Sequence, residues 1–264
     1  MPSPSTPVRP DPGAFARRVR SRETVVGYWV VLDAPPATER IARIGYDYVA
    51  IDAQHGLLDY RGVLTGLLAV DAGGSAGVVR VAANDPTAIG QALDAGARGL
   101  IVPLVNSAAD AAAAVAAAKY PPFGVRSYGP MRSGLRIGPV PAEADEQTAV
   151  LAMIETAAGL AAVEEIAATP GLDGLYVGPS DLAINIGGAY PGDPAVKADF
   201  DAALERVLAA AAGAGIAAGI HTPHGSVARE RLAEGWTFVT VASDVVHLET
   251  IARDHLGTAR GEQR

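Results

Sequence analysis

Residues 150–181 read VLAMIETAAGLAAVEEIAATPGLDGLYVGPSD, and this stretch decides the fold. It contains two short apolar runs, residues 150–154 and 174–177, separated by a helical pattern over residues 157–168. Apolar runs of this length predict parallel strands that are covered on both faces. The stretch therefore predicts a strand–helix–strand unit. Glu155 directly follows its first strand, and Asp181 lies just beyond its second.

The same alternation of apolar runs and helical patterns continues along the chain. Helix starts carry capping signals, such as Asp85 before Pro86 and Ser107 before an alanine-rich pattern. Eight strand–helix units predict an α/β fold of the (β/α)8 type, a TIM barrel, rather than a doubly wound sheet. The predicted strands are residues 25–31, 48–52, 77–81, 99–104, 150–154, 174–177, 216–220 and 238–241. The predicted helices are a short one at 12–20, then 37–44, 60–70, 86–95, 108–119, 157–168, 194–212, 226–233 and 244–256.

The length of 264 residues suits one such barrel. We expect a single domain over residues 13–258, between flexible termini at residues 1–12 and 259–264. Residues 1–12 are rich in Pro and Ser and lack the apolar core of a signal peptide, so we expect a cytoplasmic enzyme.

Composition excludes several classes of function. The formal net charge of −8 argues against a nucleic-acid partner, because phosphate binding needs a basic face. The longest weakly polar stretch, residues 108–118, is shorter than the ~20 residues that span a bilayer, so no membrane partner is expected. The absence of cysteine rules out disulfides, thiolate nucleophiles and cysteine-zinc sites.

The acids after the two quoted strands are candidate metal ligands. Glu155 and Asp181 should project from the C-terminal ends of their strands, the end of a TIM barrel where active sites lie. Two carboxylates on adjacent strands are oxygen ligands that suit Mg²⁺ or Mn²⁺. The alternative is that both acids merely cap the helices that follow.

Two further strand ends carry candidate catalytic residues. Asp52 and His55 are close enough to pair across a tight turn, so that the carboxylate would orient the imidazole as a general base. Arg80, within an otherwise apolar strand, needs an anion, either the acids at the strand ends or an oxygen of a substrate.

Three other residues are weaker candidates. Trp29 either walls the pocket or fills the barrel, with core packing favoured. His221 is expected to line the specificity side of the pocket, and we assign His224 to the start of the next helix. Pro179 and Ser180 open a helix whose free N–H groups could hold a carboxylate.

Lysine content excludes one mechanism. The chain has two lysines, Lys119 at a helix end and Lys197 in an outer helix, and neither lies on a predicted strand. Schiff-base chemistry needs a lysine inside the barrel, so carbanion chemistry next to a carbonyl would need a metal as the electrophile.

The segment 120–148 interrupts the regular alternation and contains Arg126, Arg132 and Arg136. Loops of this length are uncommon and usually functional. We expect it on the catalytic rim, where it would reach over the site or toward a neighbouring subunit. The alternative is a solvated surface excursion.

The chain resembles the HpcH/HpaI aldolases, the metal-dependent class II pyruvate aldolases that include 4-hydroxy-2-oxoheptanedioate aldolase and 2-dehydro-3-deoxyglucarate aldolase. The resemblance runs from about Gly27 to about Leu248 and rests on separated motifs in the right order. These include YDYVAIDAQHG at residues 46–56, VVRVAANDP at 78–86, YPPFGVRS at 120–127, MIET at 153–156 and VGPSDL at 177–182.

The resemblance implies a role for each candidate. Glu155 and Asp181 would bind the divalent metal, with Co²⁺ possible beside Mg²⁺ and Mn²⁺. His55, supported by Asp52, would act as base through a water on the metal. Arg80 would steady the oxygens of pyruvate and its enolate. The backbone around Pro179 and Ser180 would hold the pyruvate carboxylate, with Trp29 and His221 beside the substrate.

The resemblance also implies an activity and an assembly. The chain would reversibly cleave a 4-hydroxy-2-oxo acid to pyruvate and a small aldehyde, through a metal-stabilised enolate. Members form homohexamers, trimers of dimers, and residues 244–256 could be the last helix exchanged between subunits. Met153 replaces a glutamine of some members, which leaves the surroundings of the metal open. The alternatives are an oxaloacetate decarboxylase, an acyl-CoA lyase or a non-catalytic metabolite-binding barrel.

Overall fold

Each predicted apolar run forms a strand, and the strands close into a parallel barrel in chain order. The computed structural model describes residues 11–261. The predicted (β/α)8 fold is confirmed. The strands are β1 Val25–Val30, β2 Tyr48–Asp52, β3 Ala76–Arg80, β4 Gly99–Val102, β5 Ala149–Ile154, β6 Gly174–Val177, β7 Ala217–Thr222 and β8 Phe238–Ser243.

Helices lie between the strands near the predicted positions, with several additions. The predicted helix 157–168 is two short helices, and the segment 120–148 contains two more. The helices are α1 Phe15–Arg20, α2 Pro35–Ala42, α3 Tyr60–Gly73, α4 Pro86–Asp94, α5 Ala108–Ala118, α6 Ser133–Arg136, α7 Pro141–Glu146, α8 Ala157–Ala161, α9 Val163–Ala167, α10 Pro179–Asn185, α11 Lys197–Ala214, α12 Gly225–Ala233 and α13 Asp244–Arg260.

Several boundaries differ from prediction by a few residues, and the end of β4 differs for an identifiable reason. Strand β4 ends at Val102 rather than at residue 104, because Pro103 has no N–H to donate and Leu104 has a positive φ of 54°. At the termini, a 3₁₀ turn starts at Pro12, where a helix was predicted, and α13 ends at Arg260, four residues beyond its predicted end. The rest of the predicted flexible termini, residues 1–10 and 262–264, lies outside the described residues.

The barrel interior is filled by alternate strand residues and closed at its N-terminal end by α1. Phe15 of α1 contacts Tyr48 and Phe238 at ring distances of 5.8 and 6.0 Å. Toward the C-terminal ends, the ring of Tyr176 lies 6.1 Å from that of Trp29. The interior is therefore a packed aromatic column, with its open end at the rim formed by the C-terminal ends of the strands.

The two-residue period of the strands places polar side chains on top of this column. Tyr48 and Ala50 belong to the interior cluster, whereas Val49 and Ile51 pack outward against the helices. Asp52 therefore continues the inward row of β2, and its register partner on β3 is Arg80.

A bulge in β8 adjusts the rim at one point. Tyr28 pairs with Val241 but Trp29 pairs with Ser243, so Ala242 is an extra residue, and its φ is 49°. Such a bulge re-aims the residues that follow it. Ser243 consequently faces the cavity at the rim.

The segment 120–148 lies on the face opposite the rim, so the predicted rim position is wrong. A connection that leaves a helix and enters the next strand must return to the strand's N-terminal end. Its three arginines bind acids at the ends of α3 and α4: Arg126 binds Asp94 at 2.7 Å, Arg132 binds Asp71, and Arg136 binds Asp71 at 3.2 Å.

Among residues 11–261, no helix has the length and hydropathy that crossing a membrane requires.

Candidate active site

A cavity of about 280 Å³ opens at the rim. We call it the site cavity. Most of the predicted site residues line it directly; Asp52 is hydrogen-bonded to two lining residues, and Glu155 lies next to the lining residue Gly178. Its lining is formed by Trp29, Val31, His55, Arg80, Met153, Tyr176, Gly178, Pro179, Ser180, Asp181, His221 and Ser243.

Asp52 and Arg80 form a buried bidentate ion pair. Arg80 Nε donates to Asp52 Oδ1 at 2.9 Å, and Nη2 donates to Oδ2 at 2.5 Å. Burial favours a higher pKa for the Asp52 carboxyl. The hydrogen bonds and charge of Arg80, with the backbone N–H groups of His55 and Gln54, outweigh burial and lower this pKa. The lowered pKa favours the anionic form of Asp52, which fixes the guanidinium.

His55 does not pair with Asp52 through its ring. The backbone N–H of His55 donates to Asp52 Oδ1 at 3.1 Å, and no hydrogen bond joins the imidazole to any residue in the described range. The predicted ring-to-carboxylate bond is thus corrected: the acceptor sites of Asp52 are taken by Arg80, Trp29 and two backbone N–H groups. The exposed imidazole of His55 still lines the site cavity.

Trp29 belongs both to the core and to the site. Its indole N–H donates to Asp52 Oδ2 at 3.2 Å, and the Arg80 guanidinium lies 5.1 Å from its ring centroid. The contact of a cation with an indole face is attractive. Trp29 therefore holds the Asp52–Arg80 pair from one side while it packs on Tyr176.

Glu155 is buried beside the cavity, and burial is the main cause that raises its pKa. The negative charge of Asp181 raises the pKa further, while Arg80, His55 and the Leu104 N–H oppose the shift. Leu104 N donates to Glu155 Oε1 at 2.7 Å, and no described residue donates to Oε2. A cation next to the two carboxylates would relieve their repulsion.

Asp181 lies in the first turn of α10, and its exposed carboxylate receives no hydrogen bond from residues 11–261. Helix capping therefore does not explain it. Gly178 precedes this helix, and a Cβ there would lie 2.7 Å from Met153 Cε and 2.9 Å from Glu155 Oε2. Glycine is needed so that β6 can approach Glu155 closely.

The two acids fit a hard divalent cation with few protein ligands. Within the described residues, no group of three or more His, Cys, Asp or Glu side chains is placed to hold a metal ion. Mg²⁺ usually keeps several waters or substrate oxygens and takes only one or two protein carboxylates. Glu155 and Asp181 match that donor set.

His221 forms part of the cavity wall next to Trp29, with ring centroids 5.4 Å apart. Its Nδ1 is buried without a hydrogen-bond partner in the described chain. Burial, and then the charge of Arg80, lower the pKa of His221 to about 4, while Asp52 opposes the shift. The ring is consequently neutral at pH 7. His224, by contrast, precedes α12 as predicted.

Three site residues escaped prediction from the sequence. Tyr176 and Ser243 line the cavity, and Leu104 presents its N–H to Glu155. Tyr176 could have been found from the alternation of side-chain direction along β6, because it lies two residues before Gly178 and so on the same face. The β8 bulge and the positive φ of Leu104 leave no trace in the local sequence.

Neither lysine reaches the cavity. Lys119 donates to the carbonyl oxygens of Asp145 and Thr148 at 2.5 and 3.0 Å on the N-terminal face. Lys197 starts α11 and pairs with Asp201 at an exposed position. Their positions agree with the exclusion of Schiff-base chemistry.

Comparison with known proteins gives one consistent family. The model of the HpcH/HpaI aldolase/citrate lyase family matches residues 25–250. A hydroxypyruvate/pyruvate aldolase of Rhizorhabdus wittichii is 42% identical over 88% of this chain and 92% of its own length. A 4-hydroxy-2-oxovalerate aldolase of Rhodococcus jostii is 40% identical over 88% of this chain and 90% of its own length.

A solved structure agrees with these sequence matches. An HpcH/HpaI aldolase/citrate lyase family protein of Burkholderia cenocepacia superposes with a TM-score of 0.85 at 37% identity. The match covers 94% of this chain and 99% of the other.

Proposed function

This chain belongs to the HpcH/HpaI aldolase/citrate lyase family, and from that membership we propose that it is a metal-dependent aldolase acting on 4-hydroxy-2-oxo acids. The reaction gives pyruvate and an aldehyde and runs in both directions. The observation that carries the proposal is the convergence of Arg80, His55 and Asp181 on one cavity of about 280 Å³, with Glu155 buried beside it. The printed activities of the two relatives, both aldolases, support it.

Substrate binding would use groups that are already fixed. The backbone N–H groups of Ser180 and Asp181, at the start of α10, would receive the substrate carboxylate. Arg80, held by Asp52 and Trp29, would face the 2-oxo oxygen and offset the charge that develops there. Because its partners already hold Arg80 in place, the guanidinium would need little rearrangement during the reaction.

Glu155 and Asp181 would hold a divalent cation, Mg²⁺ or Mn²⁺, with Co²⁺ as a further candidate. When bound, such an ion supplies Lewis-acid polarisation of the ketone. Met153 lines the cavity beside Glu155 and offers no oxygen or nitrogen ligand.

The chain's own residues then account for the movement of protons. His55 would take the proton of the C4 hydroxyl, so that the C4–O⁻ pair forms the aldehyde carbonyl as the C3–C4 bond breaks. The electrons of that bond become the enolate of pyruvate. C3 would then take up a proton from water, and His55 would release to water the proton that it took. Asp52 acts on this sequence through Arg80 rather than through His55.

Deuterium exchange at C3 of pyruvate, followed by NMR, tests enolate formation without any aldehyde. We expect exchange and retro-aldol cleavage with added Mn²⁺ or Mg²⁺, and loss of both in Glu155→Gln. Glu164→Gln, an exposed glutamate on α9, is the matched control and should behave as wild type. Full retro-aldol activity in chelator-treated protein, or in Glu155→Gln, would contradict the mechanism. Absence of exchange with Mg²⁺, Mn²⁺ and Co²⁺ would favour a non-catalytic binding barrel.

The other candidate reactions share the enolate. Oxaloacetate decarboxylation needs no aldehyde, and it is measured with the same protein and metals. An acyl-CoA lyase would need a basic patch near the rim. The loop arginines Arg126, Arg132 and Arg136 were the candidates for such a patch, and they lie on the opposite face.

We also propose a cytoplasmic homohexamer, a trimer of dimers in which α13 is exchanged between subunits. Helix α13 has no buried residue in this chain. Its apolar side chains Leu248, Ile251 and Leu256 are 63, 57 and 50% exposed. Exposed apolar side chains that share one helix face are typical of a protein interface.

A further inference from the structure

A second cavity adjoins the site cavity and is larger. Its volume is about 560 Å³, within the range of small-molecule pockets, and it shares Pro179, Ser180 and His221 with the site cavity. We call it the apolar groove. It runs from the ends of β7 and β8 between α10, α11, α12 and the start of α13, and side chains such as Phe200, Ile220, Val227 and Val246 line it.

The charged residues of the apolar groove are already engaged elsewhere. Lys197 pairs with Asp201, and Arg231 pairs with Glu234 at 2.7 Å. Asp193 accepts the backbone N–H groups of Ala189 and Ala195, both at 2.9 Å. Within the described chain, both cations of the apolar groove are therefore in ion pairs, and the anion Asp193 would not attract a carboxylate or a phosphate. What it has is apolar surface that a hydrocarbon would cover.

The shared wall fixes which part of a ligand would enter the apolar groove. C3 of pyruvate reacts in the site cavity, so the carbonyl carbon of an acceptor aldehyde must lie there as well, within reach of His55. The substituent behind that carbonyl then leaves past His221 and Pro179, because those two residues border both cavities.

We propose that the apolar groove is the subsite for the tail of the acceptor, and that the preferred acceptors are aldehydes with an uncharged hydrocarbon tail of several carbons. The corresponding cleavage substrates are 4-hydroxy-2-oxo acids that carry the same tail at C4. The inference rests on the proposed function, since it assigns the substrate class of the same site.

A homologous series of acceptors tests the subsite. Initial rates of aldol addition are measured with the Mn²⁺-loaded enzyme and pyruvate for straight-chain aldehydes from propanal to heptanal. Burial of one methylene corresponds to about a fourfold gain, so kcat/KM should rise about threefold to fourfold per carbon until the apolar groove is full. A flat series in the wild-type enzyme overturns the proposal.

Variants that fill the apolar groove test whether the gain in kcat/KM per carbon arises in this groove. Val227→Phe on α12 and Val246→Phe on α13 narrow the apolar groove from two sides. In each variant, kcat/KM should no longer rise with the length of the aldehyde. The rates of propanal addition and of pyruvate C3 exchange should change less than twofold. Val125→Phe, at an exposed position on the N-terminal face, is the matched control and should keep the wild-type slope. An unchanged slope in both groove variants also overturns the proposal.

The pyruvate C3 exchange assay distinguishes a failure of the proposed function from a failure of the proposed subsite. Loss of C3 exchange in the wild-type enzyme is a failure of the proposed function itself. Normal exchange with a flat aldehyde series is a failure of the subsite alone. If the apolar groove is instead filled by a second copy of the chain, the series is flat and Val227→Phe changes the oligomeric mass, which rejects the subsite.

Discussion

Asp52 shows how one carboxylate can be saturated by its neighbours. It accepts two hydrogen bonds from Arg80, one from Trp29 and two from backbone N–H groups. A buried arginine without its anion is costly, so the pair has a structural function besides the proposed catalytic one. Asp52 anchors the guanidinium and leaves the ring of His55 free for its proposed function as a base.

We predict that Asp52→Asn couples energetically to Arg80 and not to His55. The single variant should lose about 3–5 kcal/mol of unfolding free energy, because it leaves a buried charge unpaired. In double-mutant cycles measured by urea unfolding, Asp52→Asn with Arg80→Gln should be strongly non-additive. Asp52→Asn with His55→Gln should be additive. If Asp52→Asn and His55→Gln were non-additive instead, the result would support the carboxylate–imidazole pair that was predicted from the sequence.

His221 makes the stability of the protein depend on pH. Its folded-state pKa of about 4 lies below the ordinary histidine value of 6.5. As the pH falls below 6.5, the unfolded chain takes up a proton that the folded protein refuses until about pH 4. The stabilisation is therefore complete above pH 6.5 and is lost as the pH falls toward 4.

We predict that this loss amounts to about 3 kcal/mol between pH 7.5 and pH 4. It is measured as the difference in unfolding free energy between wild type and His221→Gln, whose side chain stays neutral over this range. The independent check is an NMR titration of the His221 ring, with an expected midpoint near 4. A midpoint near 6.5, or a difference that does not vary with pH, would contradict the assignment.

At the scale of elements, the segment 120–148 is a clamp on the N-terminal face. Arg132 donates to the carbonyl oxygen of Ala95 at 2.5 Å and pairs with Asp71, and both side chains of that pair are 12% exposed. Arg126 lies 4.6 Å from the ring centroid of Tyr120 and binds Asp94. These contacts join the segment to the C-terminal ends of α3 and α4.

We predict that Arg132→Met lowers the unfolding free energy by about 3 kcal/mol, because it leaves the Asp71 carboxylate with a weaker partner. The kcat/KM for retro-aldol cleavage should change less than twofold, since the clamp is remote from the cavity. Arg136→Met is the matched control: this arginine contacts the same Asp71 but is 49% exposed, so it should cost under about 1 kcal/mol. A large fall in kcat/KM without loss of stability would contradict this prediction and would indicate that the segment contributes to the active site.

The sequence predicted the elements better than it predicted their contacts. Runs such as 174–177 are apolar and short, so strand identity follows from local composition. The ion-pair partner of Asp52 does not follow from local composition, because Arg80 lies on another strand and only the barrel register brings the two together. Likewise, the face on which residues 120–148 lie depends on the direction of the chain, which the length and composition of the segment do not express.

At the scale of the molecule, chain order in the barrel explains why a site could be predicted at all. Strand ends collect at one rim, so any polar residue that follows an apolar run becomes a neighbour of the others. Trp29, His55, Arg80, Asp181 and His221 meet for this reason. The apolar groove needs the positions of four helices at once, and it has no counterpart in any single motif.

Helix α13 is the part of the molecule that one chain does not explain. It is 17 residues long and buries none of its side chains, and helices of that length are marginal in water without packing. A second copy that covers Leu248 and Ile251 would supply the missing burial. Stability would then depend on protein concentration, because unfolding would be linked to dissociation.

We predict that Ile251→Glu lowers the oligomeric mass measured by light scattering, because it places a charge in the proposed interface. The wild-type unfolding midpoint should rise with protein concentration, whereas the midpoint of Ile251→Glu should be lower and independent of concentration. Ala252→Glu adds the same charge at the neighbouring position, where no large apolar side chain is lost, and is the matched control with wild-type mass. A wild-type protein that is monomeric at all concentrations would reject the exchanged helix, and α13 would then have to be stabilised by its own ion pairs, such as Arg253 with Glu249.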